Sequence, residues 1–251
     1  MANIKSYLNS KEGFILFQCA SKKKWQTIRK ILKRFEQRQQ RNTGDSGGLS
    51  LIQQRDSTGL SFFSLCFGLN APIDILSKIC DLDPNQAYQV DVYGASAMHI
   101  ACLNGVPLKS IASSTMPRSL VSSKDVDGSL PIHLLMVCLS RNEIEVTSAM
   151  DIIDWMIDID PDILFTQDNL GFTPVDIIQS VRINVDAKSK EGQRLKSVYG
   201  HLQEAYIKCW RIKKSRWESM SQHEIIKNDS MAPAKNDATS LTSGDMSSES
   251  W

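Results

Sequence analysis

Apolar residues in this chain gather in short blocks at helical spacing, separated by polar turns. Trp25, Ile28, Ile31, Leu32 and Phe35 step by three and four, which puts them on one face of a helix over about Lys24 to Gln40. The other face carries Lys22, Lys23, Lys24, Arg29, Lys30, Lys33, Arg34, Arg38 and Arg41. The run G-F-I-L-F-Q-C-A from Gly13 to Ala20 supplies a shorter helix before it, and Asn42 to Gly48 reads as a loop. The same pairing returns downstream. Phe62–Gly68 precedes Pro72–Asp81, whose apolar edge is Ile73, Leu76 and Ile79. Ala97–Leu103 precedes a short segment, Leu108–Ser114, checked by Met116 and Pro117. Pro131–Leu139 precedes a polar loop, Arg141–Thr147, and then a helix carrying Met150, Ile153, Trp155, Met156, Ile157 and Ile159, stopped by Pro161. Pro174–Val181 is followed by a long helix, about Glu191 to Ser219, in which Leu195, Val198, Leu202, Ala205, Cys209 and Ile212 alternate spacings of three and four. That stripe is shorter than the three or four heptads of an independent coiled coil, so it predicts a cap packed on the preceding pair. Residues 221–251 turn to Ser, Thr, Asn, Asp and Ala and are expected to be disordered. The pattern as a whole predicts an all-α fold.

Between the helix pairs an Asp-x-x-Gly frame recurs. Asp91–Ala101 reads D-V-Y-G-A-S-A-M-H-I-A, Asp125–Leu135 reads D-V-D-G-S-L-P-I-H-L-L, Asp168–Ile178 reads D-N-L-G-F-T-P-V-D-I-I, and Asp56–Cys66 reads D-S-T-G-L-S-F-F-S-L-C. The leading aspartates fall 35, 34 and 43 residues apart. Pro84 and Pro161 each precede the next aspartate by seven residues, and Pro117 by eight. Together these residues resemble the ankyrin repeat, with its D-x-x-G-x-T-P-L-H-x-A opening and a period of about 33. The resemblance implies an ankyrin-type helix-turn-helix solenoid over residues 10–220, with units near 10–55, 56–90, 91–124, 125–167 and 168–220, the last including the capping helix. Terminal repeats of such arrays are atypical. The resemblance further marks Asp91, Gly94, His99, Asp125, Gly128, Pro131, His133, Asp168, Gly171, Thr173 and Pro174 as structural signature residues. In it, glycine permits a turn that a side chain would strain, proline fits the first turn of a helix, and histidine ties the first helix of a unit to neighbouring turns.

Hydrophobic residues make up 41% of the chain and charged residues 23%, which is ordinary for a globular protein. Lys5, Lys11 and Glu12 precede any apolar run, which predicts no secretory signal peptide. The six cysteines are scattered without a CxxC pair, as buried small residues in a reducing compartment would be, so cytoplasm or nucleus is expected. Charge is segregated: residues 1–42 carry 11 basic and 2 acidic side chains, 43–187 carry 7 and 18, and 188–251 carry 11 and 8. An acidic body therefore lies between basic ends.

Candidate chemistry adds little to this picture. His99 and Cys102 share a helix face, but zinc needs three or four convergent ligands, and no metal or other cofactor is expected. Asp151, Asp154 and Asp158 share another face, which reads as a solvated acidic surface. No phosphate-cradling glycine loop or HExxH helix is present, so a non-enzymatic role is expected. What remains are positions the turns themselves do not demand: Ser57, Thr58 and Leu60; Val92, Tyr93 and Ala95; Val126, Asp127 and Ser129; Asn169, Leu170 and Phe172. The resemblance puts these at hairpin tips and the adjoining concave side. They predict a scaffold or adaptor that holds a partner protein, and the acidic body favours a partner with a basic segment. The alternative is a tether in which the basic amphipathic helix 22–41, with Lys208–Arg216 contributing, engages anionic membrane, nucleic acid or calmodulin.

Overall fold

The computed structural model describes residues 15–40, 52–112 and 116–230, with the backbone alone for 38–40 and 219–230. Gly13, the Asn42–Gly48 loop, Ser113, Ser114 and everything past Ser230 lie outside the described residues. The fold is all-α. Short helices alternate with further helices: α1 (Ile15–Ser21) and α2 (Trp25–Gln40), α3 (Phe62–Gly68) and α4 (Ile73–Leu82), α5 (Ala97–Leu103) and α6 (Leu108–Ile111). Then come α7 (Pro131–Ser140) and α8 (Val146–Ile159), and finally α9 (Pro174–Ile183) and α10 (Lys190–Ser230). The chain divides into two compact units, Met1–Cys209 and Trp210–Trp251, and α10 runs through the boundary.

Inside each of the first four pairs the chain reverses in the same way. Lys23, Asn70, Gly105 and Asn142 adopt positive φ, between 51° and 61°. The next residue donates its N–H back five positions, Lys24 to Cys19, Ala71 to Cys66, Val106 to Ala101 and Glu143 to Cys138, at 2.8 to 3.1 Å. This closing bond satisfies a carbonyl that the helix end would otherwise orphan. It shows α1–α2 to be built like its successors, although the first pair has no Asp-x-x-Gly frame.

Successive pairs lie side by side: α1 packs on α3, α3 on α5, α5 on α7 and α7 on α9, while α2 packs on α4 and α6 on α8. The shared core includes Leu16, Ile28, Leu32, Phe62, Phe63, Phe67, Ile75, Met98, Leu135 and Ile153, all buried. Burying each such side chain contributes about 1.5–3 kcal/mol, and Phe63 and Phe67 also stack with ring centroids 5.8 Å apart. Three prolines share one task. Pro84 and Pro161 each open a 3-10 turn, Pro84–Tyr88 and Pro161–Leu164, and Pro117 caps a third, Arg118–Ser122. Each turn delivers the chain to the next aspartate.

Two boundaries differ from the sequence reading. The polar loop after α7 is shorter than Arg141–Thr147, because α8 already begins at Val146. The last helix continues to Ser230 rather than ending near Ser219, so 221–230 is helical where disorder was expected. Polar composition masked Gln222, Glu224, Ile225, Ile226 and Lys227, a run without glycine or proline to stop a helix.

At the four Asp-x-x-Gly turns, Gly59, Gly94, Gly128 and Gly171 have φ of 72° to 84°, a region that costs other residues about 1–2 kcal/mol. Space distinguishes two of them. A Cβ on Gly128 would stand 2.4 Å from Asn169 Oδ1, whereas one on Gly171 meets nothing within 4 Å. Gly171→Ala should therefore cost about 1 kcal/mol of unfolding free energy and Gly128→Ala roughly 2 or more, read from urea denaturation of the two variants. Equal losses would show that Asn169 gives way freely.

Candidate functional site at the hairpin tips

Each turn is closed by its leading aspartate. Oδ1 of Asp91 accepts the backbone N–H of Tyr93 and Ala95, both at 2.9 Å. Asp125 does so for Asp127 and Ser129, and Asp168 for Leu170 and Phe172. Asp56 holds Thr58 and Leu60 likewise. The turns are then stitched to one another: Val92 N–H donates to Thr58 O, Val126 to Tyr93 O and Asn169 to Asp127 O, at 2.8 to 2.9 Å. Arg55 adds a clamp from its guanidinium to the carbonyls of Gly59 and Val90.

With the backbone thus engaged, several tip side chains are left facing water. Val92 is 62% exposed, Tyr93 40%, Val126 58%, Leu170 82% and Phe172 41%. Asp127 is exposed beside them. Other expected contact residues are placed differently. Ala95 and Leu60 are buried, each turned inward at the start of the helix pair that follows it, unlike Phe172 at the equivalent place in the last tip. They cannot touch a partner. Ser129 is half-buried and its carbonyl is taken by His99. Asn169 is exposed, but its amide donates to Val126 O at 3.0 Å, so it serves the stitching between tips.

The histidines make the remaining ties. His99 Nδ1 accepts the Ser96 N–H at 3.1 Å, and His133 Nδ1 accepts that of Leu130 at 3.0 Å. Their Nε2–H groups donate to Ser129 O and Phe172 O of the following tip, at 3.0 and 3.1 Å. Both ring nitrogens are thereby used in the neutral form. Burial lowers both imidazole pKa values from the ordinary range, partly offset by the carbonyl each ring faces. Burial pushes the Cys102 thiol up. Both nitrogens of His99 are already engaged, and among the described residues no group of three or more His, Cys, Asp or Glu could hold a metal ion. At α9, Asp176 takes the histidine's place; its Oδ2 accepts the Thr173 N–H and hydroxyl at 2.9 and 2.6 Å.

Beside the last tip lies a cleft of about 270 Å³ lined by Thr173, Val175, Asp176, Gln203, Tyr206 and Ile207. Phe165 packs against Tyr206 with centroids 4.5 Å apart. Sequence reading missed this wall. The available signal was that Tyr206 and Ile207 fall outside the Leu195–Cys209 stripe, whose Leu195, Val198, Leu202 and Cys209 are buried.

No protein-family model matches the chain, and a search of curated proteins finds no significant match. Among the described residues no helix is long and apolar enough to cross a membrane.

Because the folded imidazoles resist protonation, the unfolded chain takes up protons first as pH falls. Stability conferred by neutral His99 and His133 is complete above about pH 6.5 and is lost on the acid side of it. Asp91, whose carboxyl is raised by burial, works in the opposite sense, but only lower, in the carboxylate range. The unfolding free energy from urea denaturation should fall between about pH 7.5 and 5, by up to about 1.4 kcal/mol per pH unit for each histidine. His99→Gln with His133→Gln should flatten that slope; an unchanged slope would place the acid sensitivity elsewhere.

Proposed function

We propose that this chain is a non-enzymatic interaction module of the ankyrin type, working as a scaffold or adaptor. Its hairpin tips and the adjoining inner-helix face would hold a partner protein. The observation that carries the reading is the row of exposed apolar side chains, Val92, Tyr93, Val126, Leu170 and Phe172, on turns whose backbone is already hydrogen-bonded. Nothing in the turn chemistry calls for these groups, and exposed aromatics are frequent binding anchors. The cleft beside Phe172 could receive one further partner side chain. Asp127 and the acidic body favour a partner segment carrying lysine or arginine, since opposite potentials speed encounter and set register.

The packing of α2 supports its role as a cap rather than a lipid-inserting helix. Ile28, Leu32 and Phe35 are buried. Arg29 forms a two-pronged pair with Asp74 at 2.5 and 2.8 Å, and Lys78 pairs with Glu36. Lys22, Lys23, Lys24, Lys30, Lys33 and Arg34 remain exposed.

Affinity capture from native lysate should compare the wild type with Tyr93→Ala/Asp127→Lys and with Leu170→Ala/Phe172→Ala. Partners captured by the wild type should weaken at least tenfold in both variants, with helical circular dichroism unchanged. Capture that survives both pairs of changes would remove the tips from consideration.

A further inference from the structure

Outside the repeat body, the second unit opens with the helical stretch Trp210–Trp217, W-R-I-K-K-S-R-W. We infer that this stretch of α10 is a docking site for an anionic lipid surface, independent of whatever partner the tips hold. Trp210 and Trp217 are 48% and 69% exposed. Seven residues apart, they share one side of the helix. Helical geometry of about 100° per residue sets Lys213 and Lys214 on the two flanks of that side and Arg211 and Arg216 further round. The Lys214 ammonium lies over the Trp210 ring, 5.3 Å from its centroid, and 3.8 Å from Glu218 Oε1 in an exposed ion pair. From Ala205 to Trp217 there is no acidic residue; Glu204 and Glu218 bound the stretch.

This is the distribution an interfacial helix uses. Indole rings settle at the boundary between headgroups and acyl chains, while lysine and arginine stems reach back to the phosphates. Charge selects among occupants. A second copy laid along the same stretch would oppose four cations with four cations. A nucleic acid would satisfy the charge, but the two indoles are about 10 Å apart along the axis, against about 3.4 Å between successive stacked bases. An anionic bilayer answers both the charge and the indoles. It also relocates the tether foreseen at α2, whose apolar face is buried, to a helix whose tryptophans are accessible.

The test is flotation of the full chain with vesicles of phosphatidylcholine alone or mixed with phosphatidylserine, at low and moderate salt. The protein should float with the mixed vesicles only, and less at moderate salt. Lys213→Gln/Lys214→Gln should reduce partition roughly 25-fold, taking about fivefold for each lysine. Trp210→Ala/Trp217→Ala should reduce it at least tenfold with the charge intact. Lys22→Gln/Lys23→Gln/Lys24→Gln should leave it within about twofold, since those lysines lie outside the proposed site. The helical circular dichroism of each variant should match the wild type, so that lost partition reports the surface and not the fold. Absence of flotation at low salt would overturn the inference, as would a loss confined to the Lys22–Lys24 variant. Binding to polyuridylate that needs Trp210 and Trp217, with no vesicle binding, would assign the stretch to nucleic acid instead.

Discussion

The first unit rests on one constraint: a carboxylate that closes a turn through two backbone N–H groups while the turn's own N–H and C=O reach the next turn. The aspartate oxygen fixes the loop, glycine supplies the positive φ, and the freed amide of the following residue is aimed at its neighbour's carbonyl. Each hydrogen bond is worth only about 1 kcal/mol net. Repetition gives the constraint its weight, because every turn is braced by the one beside it and each helix pair is thereby held in register with the next.

Histidine extends the same logic into the helices. His99 and His133 receive the N–H that begins their own helix and donate to the carbonyl of the following tip. Where no further Asp-x-x-Gly tip follows, the residue changes to Asp176, and a capping box with Thr173 closes locally. At α3 the corresponding residue is Ser64, whose N–H is received by the Ser61 hydroxyl at 3.0 Å. A tie to the following tip therefore forms only where a histidine is present to span the gap. Placing a neutral imidazole there also makes the array sensitive to acid, through the uptake of protons by the unfolded chain.

Electrostatics is distributed in the same economical way. Helices α2 and α4 are paired in both senses, Arg29 of α2 with Asp74 of α4 and Glu36 of α2 with Lys78 of α4. These pairs are partly exposed and individually weak, so their effect is on register more than on stability. Burial of the α2 apolar stripe does the holding. Exposed charge of opposite sign stands in two places, Asp127 at the tips and the four cations of the Trp210–Trp217 stretch.

The sequence by itself determined the all-α pattern, the recurrence of the Asp-x-x-Gly turns and the apolar faces of α2 and α8, because helical spacing and turn chemistry are local properties written residue by residue. It also pointed to Val92, Tyr93, Val126, Asp127, Leu170 and Phe172 as accessible, since the turn makes no demand on them. Tertiary structure alone decided that Ala95 and Leu60 face inward, that Asn169 bridges tips, and that Tyr206 and Ile207 wall a cleft. Each of these depends on a neighbour tens of residues away. The repeated reversal at Lys23, Asn70, Gly105 and Asn142 was equally hidden, because three residue types can reach the same positive φ when a helix end needs its last carbonyl satisfied. The length of α10 was misread because low hydrophobicity was equated with disorder, whereas a run without glycine or proline can continue a helix.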